Sequence, residues 1–418
     1  MEYTAEGRRQ SFRLSMLIYD TRYRSLTIQI AALVGLLLVI GWLVSNTAQN
    51  LSALGKPVNF GFLNQPASYD INQSFIEYSS RSSHLRASAI GLMNTLLVAV
   101  LGCALATVIG LVFGVLRLSK NWVIARLMTV YIEVFRNVPV LLWIVFYMAI
   151  IIEVLPAPRD FRGESPGSSM IFWDSVAITN RGVYVPEPLF SNGLGDISIF
   201  GLFAISLDLL ALIFVLAIGI FAAGRVAQRA NKTQEETGVR PSTWHYRTAL
   251  IVLPSVTLLL ALGFHLGLPE LKGFNFSGGI NMRNSLIALW LALACYTGAF
   301  IAEIVRAGIL SVSKGQSEAA FALGLRPTQS MRLVILPQAL RVIIPPLISQ
   351  YLNLTKNSSL AIAIGYMDVT GTLGGITLNQ TGRELECILL LIICFLCISL
   401  TVSAVLNWYN NLVKLKER

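Results

Sequence analysis

Apolar residues in this chain come in long blocks separated by short polar and basic stretches. Eight blocks approach or exceed the roughly 20 residues that cross the hydrocarbon layer of a bilayer. They run from Ile28 to Val44, Ala89 to Leu116, Val138 to Leu155, Ile199 to Phe221, Thr248 to Leu266, Ser285 to Ser311, Gln338 to Ile364 and Leu385 to Trp408. A soluble core would scatter such residues among charged faces. The pattern predicts an all-α polytopic membrane protein with about eight transmembrane helices.

Two blocks are longer than a straight perpendicular helix requires. Gln338 to Ile364 would extend about 40 Å at 1.5 Å per residue. It contains Pro345 and Pro346, then the polar cluster Asn353, Thr355, Lys356, Asn357, Ser358 and Ser359 before apolar residues resume. That predicts a kinked or broken helix whose polar part faces protein or a watery cavity, because lipid leaves backbone groups unsatisfied. Ser285 to Ser311 carries Glu303 and Arg306, three residues apart on one helix face.

An even number of spans places both termini on one side, and the basic residues agree with that arrangement. The cytoplasmic side would hold Arg8, Arg9, Arg13, Arg22 and Arg24, then Arg117, Lys120, Arg126 and Arg136. It would also hold Arg225, Arg229, Lys232, Arg240 and Arg247, then Lys314, Arg326 and Arg332, and finally Lys414, Lys416 and Arg418. The opposite segment from Pro156 to Ser198 carries Asp160, Glu164, Asp174, Glu187 and Asp196 against three arginines, and its Pro and Gly content predicts an ordered external loop. The first block is long for a signal-peptide core and lacks a small-x-small cleavage site after it, so an uncleaved first helix is expected.

Composition reinforces this picture. Of 418 residues, 55% are apolar and only 13% charged, which is too oily for a typical soluble globule. The net charge of +10 forms no continuous basic face, so membrane orientation accounts for it and nucleic acid is not expected as a partner. All five cysteines fall within apolar blocks, and no disulfide is expected; Cys394 and Cys397 read as buried small residues, not a redox pair. His84, His245 and His265 have no metal-ligand spacing, and no nucleophile-base pattern is present. No phosphate-binding G-x-x-x-x-G-K-[ST] loop occurs, so the chain has no recognisable means of holding ATP. Covalent catalysis is therefore not expected, nor a cofactor held by this chain.

The segment Lys314 to Pro337 reads KGQSEAAFALGLRPTQSMRLVILP. Ser317 can cap a short helix opening at Glu318, where an acid suits the positive end of the helix dipole. Gly324 supplies a left-handed stop, Pro327 suits the first turn of a second short helix, and Pro337 marks re-entry into the membrane. The helix is too apolar at Ala319, Ala320, Phe321, Ala322 and Leu323 to be idle in water, which favours a partner; a helix resting on the membrane surface is the competing expectation.

The spacing of Glu318, Ala319, Ala320 and Gly324, followed by Val334, Leu336 and Pro337, resembles the EAA loop of ABC importer permeases, with Val334 in place of the pattern's Ile. The segments Tyr131 to Tyr147, Tyr296 to Gly308 and Leu354 to Leu360 look like the polar amino-acid branch of that family. The first span and an insertion at 156–284 resemble the larger permeases of the general L-amino-acid type, often called Aap or Bzt. The resemblance implies a type I permease core with an extra N-terminal helix and an inserted helix pair. Its parts would be a cytoplasmic segment (1–27), a first helix with an external loop (28–88), and a permease domain (89–418) with its coupling loop at 312–337.

It further implies a bacterial inner-membrane protein that forms the translocation path of an amino-acid importer. A separate dimeric ATP-binding cassette subunit would bind ATP and dock on Glu318, Ala319, Ala320 and Gly324. A periplasmic binding protein and a second, different permease chain would complete the assembly. Tyr296, Glu303, Asn353, Lys356, Asn357 and Ser358 are the expected path residues: a zwitterion needs an anionic and a cationic neighbour, which Glu303 and Lys356 could supply. Pairing of Glu303 with Arg306 is the structural alternative for the carboxylate. An ion-gradient-driven secondary transporter is the alternative for the whole chain, and it has no use for such a loop.

Overall fold

The computed structural model describes residues 18, 21–74, 76–163, 167–199 and 203–413. Arg8, Arg9, Arg13, Glu164, Lys414, Lys416 and Arg418, used above for orientation, lie outside the described residues. The chain divides into two compact units, Met1–Gly61 and Phe62–Arg418. The first contains helix α1 (Thr21–Ala53), whose apolar side chains, from Leu33 to Val44, are exposed.

The second unit contains α2 (His84–Leu116), α3 (Trp122–Asn137), α4 (Val140–Val154), α5 (Leu207–Thr237), α6 (Trp244–Ala261), α7 (Asn284–Leu310), α8 (Lys314–Ala322), α9 (Pro327–Ser330), α10 (Leu336–Asn357), α11 (Leu378–Thr381) and α12 (Glu384–Val413). Among the described residues, eight helical segments are long and apolar enough to cross a membrane, as the apolar blocks predict. The protein is a mainly helical, polytopic membrane protein.

The fourth span begins at Leu207 instead of Ile199. The residues before it form the antiparallel strands β4 (Asp196–Ile199) and β5 (Phe203–Ser206). Ser206 then caps α5, its hydroxyl accepting from the Leu209 amide, with Asp208 in the first turn.

Further short strands organise the Pro- and Gly-rich stretches. β1 (Ala177–Thr179), β2 (Gly182–Val185) and β9 (Ile280–Arg283) form an antiparallel sheet in which Val183 opposes Met282. β3 (Glu187–Phe190) pairs with β6 (Phe264–Gly267), and β7 (Glu270–Lys272) with β8 (Asn275–Ser277). The two ends of the insertion are thus zipped together beside a small cluster of Ala177, Tyr184, Phe276 and Phe161. Between them α5 and α6 pack on each other: a Cβ at Gly219 would sit 2.8 Å from the Leu250 carbonyl oxygen.

The main core lies among α2, α7 and α10, where Val98, Leu289, Leu293, Ile301, Val305, Ile343 and Leu354 are buried together. α2 and α7 run parallel, since Gly298 meets Ile109 while Gly114, further along, meets Ala302 and Val305. Gly110 and Gly114, one turn apart, let the two backbones approach closely. A Cβ at Gly110 would fall 2.4 Å from Ile301 Cγ2, and one at Gly114 would fall 2.7 Å from the Ala302 carbonyl oxygen. α10 runs antiparallel to both, with Ile343 against Gly308 and the Tyr351 hydroxyl 2.6 Å from that of Thr107. The α-helix continues through Pro345 and Pro346, and the seventh span changes character only in the polar cluster: α10 gives way to a 3-10 stretch, Ser358–Ile364, that ends at Gly365 with φ of 69°.

Candidate functional site

The 314–326 loop is an exposed helix with a defined stop. Its N-terminus falls one turn earlier than the capping argument predicts: α8 starts at Lys314 after the extended residue Ser313. Ser313 and Ser317 are both cap-competent by type; the helix takes the earlier, which leaves Ser317 in its interior and Glu318 beyond the first turn. The predicted stop is present. Gly324 has φ of 75°, its amide donates to the Phe321 carbonyl at 2.9 Å, and the Leu325 amide reaches the Ala320 carbonyl at 3.1 Å. This double closure satisfies the last carbonyls of the helix and needs a left-handed residue between them.

Of the loop residues matched to the EAA pattern, Glu318 and Ala319 are exposed, whereas Ala320 is buried. Phe321 is 54% and Leu323 81% exposed, so two large apolar side chains stand out in a charged loop. Pro327 opens α9 as expected, and a π-helical turn at Met331–Ile335 carries the chain directly into α10, with Pro337 in its first turn. The second short helix and the seventh span are therefore one rod, not two elements separated at Pro337.

Glu303 sits near the same end of α7, with its side chain 25% exposed. Arg306 donates to Oε1 from Nη2 at 2.6 Å and from Nε at 3.2 Å. Arg117, just past the end of α2, donates from Nη1 to Oε2. The Arg136 guanidinium of α3 lies 5.4 Å from the centre of the Phe300 ring, one turn before Glu303. Both carboxylate oxygens are thus occupied by arginines, one of them from another helix.

Tyr296 is half-buried, with its ring 5.1 Å from that of Phe300. The Tyr131 hydroxyl of α3 donates to the Cys295 carbonyl at 2.6 Å, and Tyr131 begins a run of ring contacts through Phe135 to Trp143. On α10, Asn353 and Lys356 are exposed and Asn357 is half-buried; Ser358, at the start of the 3-10 stretch, is buried and donates to the Thr355 carbonyl at 2.8 Å. The packing of Gly308 against Ile343 sets Glu303 level with Ile348. Lys356 then lies roughly eight residues, or ~12 Å of helix rise, further along the bundle.

At the opposite end of α2 a buried polar cluster joins three distant segments. Asn94 Nδ2 donates to the carbonyls of Gln73 and Met367, each at 2.8 Å, and the Val369 amide donates to Thr95 Oγ1 at 3.1 Å. Asp368 is fully buried; its Oδ1 accepts from the Gly371 amide at 2.8 Å. Burial pushes this carboxyl up to about 7, against which the Gly371 and Thr370 hydrogen bonds work only partly. Thr377 gathers Tyr69 (3.2 Å) and His84 Nδ1 (3.0 Å). A cleft of about 510 Å³ opens beside this cluster, lined by Ile362, Tyr366, Met367, Gly371, Ile376 and Asn379 among others.

Sequence reasoning missed Arg117 as a partner of Glu303, although an arginine ending one apolar block at the depth of an acid near the end of another was a usable signal. It missed Asp368 and Tyr131 as well. A short acid in an apparent loop carries no sign of burial.

An exposed apolar helix beneath a bundle with a polar break in one span is the architecture of a transport subunit, and comparison with known proteins agrees. Residues 246–415 match the family model of the binding-protein-dependent transport system inner membrane component. The chain belongs to this family of ABC transporter permeases. It is 54% identical, over the full length of both chains, to the glutamate/glutamine/aspartate/asparagine transport system permease protein BztB of Rhodobacter capsulatus. It is 45% identical to the general L-amino acid transport system permease protein AapQ of Rhizobium johnstonii, over 98% of this chain and 96% of that one. It is 42% identical to the putative amino-acid ABC transporter permease protein YhdX of Escherichia coli, over 98% and 99% respectively.

Proposed function

We propose that this permease carries amino acids inward across the bacterial inner membrane and is driven by ATP hydrolysis on a separate dimeric cassette subunit. The observation that carries this reading is the exposed pair Phe321 and Leu323 on a helix firmly stopped at Gly324. An apolar ridge beside Glu318, Ala319 and buried Ala320 suits insertion into a groove of a partner protein. The names of the relatives support amino acids as the cargo and favour a broad range of side chains. A periplasmic binding protein would deliver the cargo, and a second, different permease chain would complete the path. This chain would hold no cofactor of its own.

In this reading both termini and the 314–326 loop face the cytoplasm, and the zipped insertion faces the periplasm. The parallel packing of the second and sixth spans supports an alternating path of that kind. The proposed translocation path follows α7 and α10 and the 3-10 stretch after it, past Tyr296, Asn353, Lys356, Asn357 and Ser358. Glu303 would border its cytoplasmic end, already neutralised by arginine.

The test is purification of the tagged chain with its operon partners, followed by reconstitution in vesicles with binding protein inside or outside. An ATPase should co-purify, and uptake of amino acids should require ATP. Gly324→Val, which forces a β-branched residue to a left-handed backbone, should cut uptake at least tenfold without altering membrane insertion. Uptake driven by an ion gradient without ATP would replace this reading with a secondary transporter.

A further inference from the structure

The contacts between α2 and α7 point beyond the docking loop itself. α7 ends at Leu310, and α8 begins at Lys314, so whatever displaces the docking helix acts on α7 first. Along its length α7 is seated on α2 with almost no slack: Gly110 and Gly114 receive Ile301, Ala302 and Val305 at distances that leave no room for a methyl group. Steric seating of this kind resists approach but not separation or sliding. What closes the pair at its loop end is the bond from Arg117 of α2 to Glu303 of α7.

The two arginines on Glu303 are not equivalent. Arg306 is on the same helix and the same face, so its bond holds nothing together except α7 itself. Arg117 is 186 residues away in sequence, follows the last residue of α2, and is the less exposed of the two, at 16% against 30%. Its guanidinium also lies where a cation complements the negative end of α2. Loss of Arg117 leaves Glu303 neutralised by Arg306, so the fold survives; what is lost is the tie between helices.

We propose that Arg117 is a positioning residue that clasps α2 to α7, so that both helices follow the docking helix as one body. The inference rests on the reading of 314–326 as the docking site of an ATPase. In a clasped pair, movement delivered to α8 is transmitted to α2 and hence to the path; in an unclasped pair, α7 moves and α2 lags.

The experiment compares wild type, Arg117→Met and Arg117→Lys in the complete reconstituted complex, measuring amino acid imported per ATP hydrolysed. Nitroxide labels at Leu118 and Ser311 report the distance between the two helix ends through the nucleotide cycle. The expected result is at least a tenfold fall in transport per ATP for Arg117→Met with ATP hydrolysis retained, and substantial recovery with lysine. The label distance should stay constant in wild type and change with nucleotide in Arg117→Met. If Arg117→Met fails to assemble, Arg117→Gln removes the charge of the tie while keeping a polar side chain beside Glu303 and should uncouple likewise. Unchanged transport per ATP, a parallel fall of both activities in an assembled complex, or wild-type helix ends that separate during the cycle would each overturn the clasp. Absence of a co-purifying ATPase from wild type would instead sink the docking reading on which it rests.

Discussion

Replacement of Gly114 by alanine should destabilise the protein even though the same change elsewhere stabilises it. Alanine is favoured over glycine inside a helix by about 1 kcal/mol. At Gly224 on α5 a new Cβ meets nothing within 4 Å, so Gly224→Ala should show that gain alone. At Gly114 the new methyl would lie 2.7 Å from the Ala302 carbonyl oxygen and 2.9 Å from Val305 Cβ. Neither atom is the end of a flexible side chain, so relief requires α2 and α7 to move apart and to loosen the buried layer of Ile301 and Val305. Overpacking of this kind costs ~1–3 kcal/mol. Both variants share the helix gain, so they should differ by the overpacking cost alone, about 1–3 kcal/mol. Thermal unfolding of the detergent-solubilised protein, followed by exposure of buried cysteines to a thiol-reactive dye, reads the difference; Cys387 is fully buried. Equal melting temperatures for Gly114→Ala and Gly224→Ala would refute close α2–α7 packing.

Three further outcomes follow from the polar contacts. Glu303→Gln should destabilise more than Arg117→Met, because it leaves Arg117 and Arg306 side by side without an anion; a difference of ~1–3 kcal/mol in the same assay is expected, below the range for fully buried pairs. Thr377→Val removes hydrogen bonds to both Tyr69 and His84 and should cost about 1–2 kcal/mol, with faster proteolysis of the 62–83 segment. For Asp368, the folded carboxyl titrates near 7 while the unfolded one titrates near the ordinary 3.8. The folded state thus holds the extra proton, and wild-type stability falls as pH rises through that window and levels off above it. Asp368→Asn, which needs no proton, should gain on wild type as pH rises from 4 to 8; a constant difference between the two curves would show that the carboxyl is ionised in the folded state.

The spans were legible because a bilayer demands about 20 apolar residues whatever the neighbours do, and Gly324 and Pro327 because local geometry alone requires them. Contacts between distant segments were not. β2 pairs with residues about a hundred positions later, and β3 with residues about 80 later; each strand is four residues long, too short to show an alternating pattern. The start of α5 was misplaced because Ile197, Ile199, Phe203 and Ile205 are as apolar as a span, and only the backbone pairing of β4 with β5 separates them from it. Glu303 and Arg306 could be paired from spacing, whereas the partner that joins helices, Arg117, carries no local signature. In the 314–326 loop Ser317 was expected to cap the helix, but Ser313 suits the same rule by residue type and stands at the actual start, one turn earlier.

The π-helical turn at Met331–Ile335 bears on how such chains change length over evolution. Closing each hydrogen bond one residue later than an α-helix, it holds a surplus residue without turning the flanking faces away from each other. A chain one residue shorter here would close as ordinary α-helix, with α9 and α10 still presenting the same sides. The same deletion within Lys314–Ala322 would rotate every following helical residue by about 100° and turn the apolar ridge to another side. Gaps in alignments of this family should therefore collect in the 331–335 turn and spare the nine residues of α8.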